Sequence, residues 1–166
     1  MSDAAEQAFS RALVQSLVGE RGHLPIARAL SDINLKLAGE QVEGLPYTIY
    51  QLVSHMSYWQ DFMLAHVRGE QPARPPAVAD SWPQQTNAAD EASWQVVLDD
   101  FLQGIDTACE LARTLELAQP LALIPTETVA GFLRNIASHN TYHLGEIVII
   151  RRLLGSWPPP GGGYPA

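Results

Sequence analysis

At 166 residues, with 46% apolar and 17% charged side chains, the chain has the size and makeup of one globular domain, residues 1–166, with a core of its own. Eighteen acidic against ten basic residues leave a net charge of −8, which excludes nucleic acid as the main partner, because phosphate binding needs a basic footprint. No apolar run reaches the roughly 18–20 residues that span a bilayer, which excludes a membrane-spanning helix.

The opening Met1-Ser2-Asp3-Ala4-Ala5-Glu6 is acidic and carries no apolar segment, unlike a secretory signal. A first helix is predicted from about Ala4 to Glu20, with Phe9, Leu13 and Leu17 on one face and Gly19 and Gly22 ending it. A short helical piece from Pro25 to about Ile33 follows, then a connection punctuated by Gly39, Gly44 and Pro46. The second long helix starts near Tyr47 or Thr48 and ends at Gly69; Leu52, Met56, Trp59, Met63 and His66 form its inward stripe. Pro72, Pro75, Pro76 and Pro83 forbid a regular helix between Gly69 and Ala89, so this stretch is a long surface loop pinned by the ring of Trp82.

The third helix runs from an Asp90 N-cap to Ala118, with Trp94, Phe101, Ile105, Ala108 and Ala112 facing inward. Cys109, the one cysteine, lies at the edge of that stripe and reads as a buried, inert thiol. A lone cysteine rules out an intrachain disulfide and fits a reducing, cytoplasmic setting. Leu121 to Pro125 is predicted as an extended connection. The fourth helix runs from about Thr126 to Leu154, stopped by Gly155 and the Pro158-Pro159-Pro160-Gly161-Gly162-Gly163 tail. Four amphipathic helices without strands predict an all-α four-helix bundle.

His139 and His143 stand four apart on the last helix, hence on one face and one turn displaced. Both lie near the stripe of Val129, Ile136, Ile147 and Leu154. Imidazoles aimed into an apolar interior need partners, and a shared metal ion or bonds within the core both supply them. His55, beside the stripe of the second helix, can meet the pair at one level of an antiparallel bundle; a surface role is its alternative. Three imidazoles from two helices would form a facial site with open positions. His66 sits about 16 Å further along its helix and reads as a packing histidine. His23 reads as an exposed loop residue, with a pocket rim as its alternative. Glu146 can bond a ligand histidine, act as a base, or mark the solvated border, and we read it as the border. Asn140 is expected to bond within the bundle.

The segment Ser138-His139-Asn140-Thr141-Tyr142-His143-Leu144-Gly145-Glu146-Ile147, continuing through Arg151-Arg152-Leu153-Leu154-Gly155-Ser156-Trp157-Pro158-Pro159, resembles the C-terminal signature of the DinB/YfiT-like superfamily. Pro46 to Trp59, containing Ser54-His55-Met56, resembles that family's second-helix motif. The resemblance covers nearly the whole chain, including Gly22-His23 and Trp94. It implies an up-down-down-up bundle with a long crossover loop, and a divalent metal held by His55, His139 and His143. The ion expected is zinc, with nickel or iron as alternatives. Where the family commonly has Gln after the Gly, this chain has Glu146.

The resemblance further implies a metal-dependent transferase or isomerase using a low-molecular-weight thiol; hydroxide at an open metal position makes a hydrolase the other enzymatic reading. An open position on such an ion lowers the pKa of a water or thiol placed there. Arg134, Arg151 and Arg152 are the only basic side chains on the metal helix that could receive a thiol cofactor's carboxylates. The alternative is a non-enzymatic, metal-stabilised stress-response or interaction protein. Apolar flanks at Val148, Leu153, Trp157 and Tyr164 lead us to expect a homodimer.

Overall fold

The computed structural model describes residues 3–163. It is helical throughout, and no strand forms among the described residues; a lone bridge joins Pro120 to Thr128. Helix α1 spans Asp3–Val18, α2 Ile26–Ala29, α3 Leu35–Gly39, α4 Ile49–Val67, α5 Glu91–Thr114 and α6 Val129–Leu153. Among the described residues no helix is long and apolar enough to cross a membrane.

Each long helix from α4 onward starts where a side chain satisfies the free backbone N–H groups of its first turn. Thr48 Oγ1 accepts from Gln51 N at 3.2 Å while Gln51 Oε1 accepts from Thr48 N at 3.1 Å, a reciprocal capping box. Asp90 Oδ1 accepts from Ser93 N at 2.8 Å, and Thr128 Oγ1 accepts from Gly131 N at 3.1 Å. The α4 cap has a second task. Thr48 Oγ1 donates to Thr86 O at 2.7 Å and Gln51 Nε2 to Pro83 O at 3.2 Å, which ties the Pro-rich loop to the start of α4.

Helices α1 and α4 each pack along both α5 and α6. His55 meets His139 and His143, while His66, further along α4, meets Phe132, an earlier residue of α6. The two helices therefore run antiparallel. Tyr50 contacts Trp94 and Gln60 bonds to Phe101 O, so α4 and α5 run the same way. Two consecutive parallel helices need a connection that travels back along the helix, about 28 Å for α4. Residues 68–90 do this, with a single 3-10 turn at Val78–Ser81.

Leu13, Leu17, Leu52, Met56, Trp94, Phe101, Ile105, Leu133, Ile136 and Ile147 form the centre of the core. Trp94 is wholly buried, and its Nε1 donates to Ile33 O at 2.6 Å, so the indole loses no hydrogen bond on burial. Arg151 is buried too, its guanidinium donating to the carbonyls of Ala29, Ser31 and Ser156.

Several expectations need correction. Phe9 is 44% exposed and leaves the α1 stripe to Leu13 and Leu17. A short helix, α3, occupies part of the stretch read as a plain connection, capped by Asn34 Oδ1 accepting from Leu37 N. Helix α5 stops at Thr114 rather than Ala118, because the chain turns to bury Leu117 and Leu121. Its carbonyls at Leu117 and Gln119 then accept from Ala130 N and Val129 N, fixing the start of α6. The inward face of α4 is rotated toward Leu52, Met56, Gln60 and Leu64, while Trp59 and Met63 are only half-buried.

Gln60 is fully buried with both polar atoms bonded: Nε2 donates to Phe101 O at 2.9 Å and Oε1 accepts from Asn140 Nδ2 at 3.0 Å. Its amide occupies the notch left by the missing side chain of Gly104, where an added Cβ would collide with Nε2. Gly104→Ala should therefore destabilise the protein by about 1–3 kcal/mol, overriding the gain in helix propensity. Gly145→Ala, where an added Cβ meets nothing within 4 Å, should stabilise by about 0.5–1 kcal/mol. Thermal melts of the two variants should move in opposite directions.

Candidate metal centre

Three histidines converge where α4 and α6 cross. The ring centroids are 5.2 Å apart for His55–His139, 4.9 Å for His55–His143 and 4.6 Å for His139–His143. Each can offer one nitrogen such that all three lie within 4.8 Å of one another. Ligands at ~2.1 Å from one tetrahedral ion lie about 3.4 Å apart, so the nitrogens would draw together by about 1–1.5 Å on binding, through imidazole rotation and small helix adjustments. Among the described residues no cysteine or carboxylate joins the group.

The geometry follows from local sequence. The i, i+4 spacing of His139 and His143 stacks them one turn apart, and the antiparallel run of α4 brings His55 to the same level. The Gln60–Asn140 bond holds the helices in this register one residue along from His139.

His143 Nδ1 lies 2.6 Å from Glu146 Oε2. A carboxylate oxygen facing a ring nitrogen accepts its hydrogen, so Nδ1 donates, and in the neutral ring that ligates a metal the lone pair lies on Nε2. Glu146 is thus an orienting partner of His143 rather than the solvated border read from sequence. On His55, Nδ1 is 2.9 Å from Ser81 Oγ, in the crossover loop. His139 Nδ1 is buried and has no hydrogen-bond partner. An orphaned imidazole nitrogen beside two others suits a ligand that accepts lone pairs, and the donor set therefore fits a divalent ion.

Burial pushes the His55 pKa down from 6.5 to about 4, helped by repulsion from His139 and His143 and opposed by a hydrogen bond at Ser81. His139 is likewise pushed down to about 4, first by burial and then by His143, with Asn140 pulling the other way. Both rings are neutral at pH 7, the state that ligates a metal. Proton competition at these two rings accordingly begins nearer pH 4 than the range around 6.5 expected of free histidine.

The loop closes one side. Trp82 is stacked between Tyr47, at 3.6 Å and 8°, and His55, at 3.7 Å and 9°. It also stands edge-on to His143, at 5.7 Å. Trp82 does pin the loop as predicted, although its ring is only half-buried, and it does so on the histidine cluster itself. Neither Ser81 nor Tyr47 carries any sequence signal for this role.

The remaining candidates lie elsewhere. His66 packs between Phe62 and Phe132. His23 is half-buried rather than exposed, its ring bonded to Leu24 O and Thr141 Oγ1. Cys109 is buried and its thiol pKa is raised by that burial, in keeping with an inert side chain. Arg151 is committed to backbone carbonyls and is not a receptor for a cofactor carboxylate.

The sequence profile of the DinB superfamily matches residues 26–147, a span containing all three histidines. No curated protein matches the chain.

The depressed pKa values make a stability prediction. Unfolded histidine titrates near 6.5 and folded His55 and His139 near 4, so the unfolded chain binds more protons in between. The contribution of these two rings to stability is fully present above pH 6.5 and is lost as pH falls toward 4. Chelator-treated protein should melt on the order of 5–10 °C lower at pH 5 than at pH 7.5. The double variant His55→Gln, His139→Gln should flatten that slope, as thermal melts across the range would read directly.

Proposed function

The chain belongs to the DinB superfamily, and from that footing we propose that it is a metal-dependent enzyme whose ion is held by His55, His139 and His143. The single observation carrying this reading is the convergence of three imidazoles without a fourth protein ligand in the group. Closed four-ligand sites serve structure, whereas three-ligand sites keep a position for a reacting molecule. Zinc suits three nitrogen ligands, as do nickel and iron. A bound ion of this type would act as a Lewis acid, lowering the pKa of a thiol or water at the open position.

The chain's own residues have definable tasks around such an ion. Glu146 fixes the His143 ring through Nδ1. The Tyr47–Trp82 stack excludes water from one side of His55. The substrate is read as a small molecule, with thiol S-transfer or isomerisation and hydrolysis as the reaction classes. Arg151 is buried on backbone carbonyls and Arg134 is turned to Asn135, so neither is held ready for a cofactor carboxylate, while Arg152 is exposed on the same helix.

The same reading takes residues 1–166 as one domain, an up-down-down-up four-helix bundle with 68–90 as its crossover. The parallel run of α4 and α5 and the antiparallel run of α4 and α6 support that order. A cytoplasmic location is part of the proposal, supported by the one free cysteine. So is a homodimer, supported by exposed Ile149 (52%) and Leu153 (62%) on α6. Val148 and Trp157 are half-buried, and Tyr164 lies outside the described residues.

Elemental analysis of protein purified without nickel resin, followed by a screen for thiol transfer and ester or amide hydrolysis, tests this function. We expect about one ion per chain, lost in His139→Ala and His143→Ala, and turnover lost with it. At a hundredfold excess over Kd the ion should add about 2.7 kcal/mol to stability. The apo protein should stay folded on its apolar core. A stoichiometric ion without turnover would favour the non-enzymatic, metal-stabilised alternative. Absence of any ion after incubation with zinc, nickel or iron would end both.

A further inference from the structure

We infer that Ser81 is a positioning residue for His55: by accepting a hydrogen bond from Nδ1–H it selects the tautomer that leaves Nε2 bare. The inference rests on the metal reading above only for its consequence; the tautomer itself follows from hydrogen bonds among Ser81, Val78, Trp59 and His55.

Ser81 Oγ has three polar neighbours. It lies 2.6 Å from Val78 O, 3.1 Å from Trp59 Nε1 and 2.9 Å from His55 Nδ1. A serine hydroxyl has one hydrogen and two lone pairs. Val78 O can only accept, so the hydroxyl hydrogen must lie between the two oxygens; without it they would face each other lone pair to lone pair at 2.6 Å. The Trp59 indole N–H can only donate, which occupies one lone pair of Ser81. One lone pair remains, and His55 Nδ1 must fill it by donating. Every group that meets the Ser81 hydroxyl is then satisfied, as burial requires for Ser81 at 4% exposure and His55 at 4%. The opposite tautomer would leave Nδ1 and the serine oxygen facing each other with no hydrogen between them.

This choice matters because a neutral imidazole presents one lone pair. With the hydrogen on Nδ1, the lone pair sits on Nε2, the same arrangement that Glu146 imposes on His143. Two of the three imidazoles are thus set by partners outside the cluster. Ser81 belongs to the 3-10 turn of the crossover loop, next to Trp82, which stacks on the same imidazole. The loop therefore fixes both the plane of His55 and the position of its hydrogen.

The test compares wild type, Ser81→Ala and Ser81→Thr, all as full-length chelator-treated protein. Two-bond proton–nitrogen NMR at pH 7.5 reads the His55 tautomer, and competition against a chromophoric chelator reads the affinity for Zn2+ alone. Wild type should carry the hydrogen on Nδ1. Ser81→Ala should show a tautomer mixture and bind Zn2+ about 10–100-fold more weakly. Ser81→Thr, which keeps the hydroxyl, should restore the tautomer and come within about threefold of wild type. A hydrogen on Nε2 in wild type would overturn the inference, whether or not Ser81→Ala folds. So would a Ser81→Ala protein whose tautomer and Zn2+ affinity match wild type. If wild type binds no Zn2+, the metal reading fails, while the NMR arm still decides the tautomer.

Discussion

Burying an imidazole removes water from two nitrogens that both need hydrogen-bonding partners, and burying three together adds mutual repulsion as soon as any of them takes up a proton. His55 and His139 meet that constraint by staying neutral at pH 7, and His55 and His143 by finding partners on their outer sides. His143 donates to Glu146, His55 meets Ser81, and His139 keeps a buried nitrogen with no partner. The outer shell is built and the inner side is left rich in lone pairs. A core made only for packing would gain stability by replacing these rings with hydrocarbon. Their retention in one cluster, in a chain of this superfamily, is what the metal reading explains.

The rest of the molecule holds that cluster in register. The antiparallel crossing of α4 and α6 sets the level of His55, and the buried Gln60–Asn140–Phe101 network pins it. Gly104 makes the network sterically possible by leaving space for the Gln60 amide. The capping box at Thr48 and Gln51 starts α4 and anchors the crossover loop through Thr86 and Pro83. That loop then delivers Ser81 and Trp82 to His55. Helix start, loop path and imidazole orientation are consequences of a few adjoining hydrogen bonds.

Much of this was legible in the sequence. The four long helices announce themselves by apolar spacing, by Asp90 and by the glycines after their ends; the His139–His143 spacing and the motif around His55 point to one site. What escaped is what depends on tertiary contact. Gln60 lies in register with Leu52, Met56 and Leu64, but a polar residue reads as solvent-facing until its partners on α5 and α6 are known. Glu146 sits one turn from His143 on a border position, and only the side-chain geometry separates a solvated carboxylate from an orienting one. Ser81 is an ordinary serine in a Pro-rich loop, and no local pattern says which imidazole that loop will reach. Phe9 fits the periodic stripe of α1 yet is exposed, lining an open groove between α1 and the start of α6.

Anomalous diffraction from crystals of the zinc-loaded protein, collected on both sides of the zinc absorption edge, tests the central claim most directly. The account predicts one strong zinc peak at ~2.0–2.1 Å from a nitrogen of each of His55, His139 and His143, with Nε2 the ligand atom on His55 and His143. A zinc peak elsewhere, or a site in which one of the three imidazoles stays out of the coordination sphere, would contradict it.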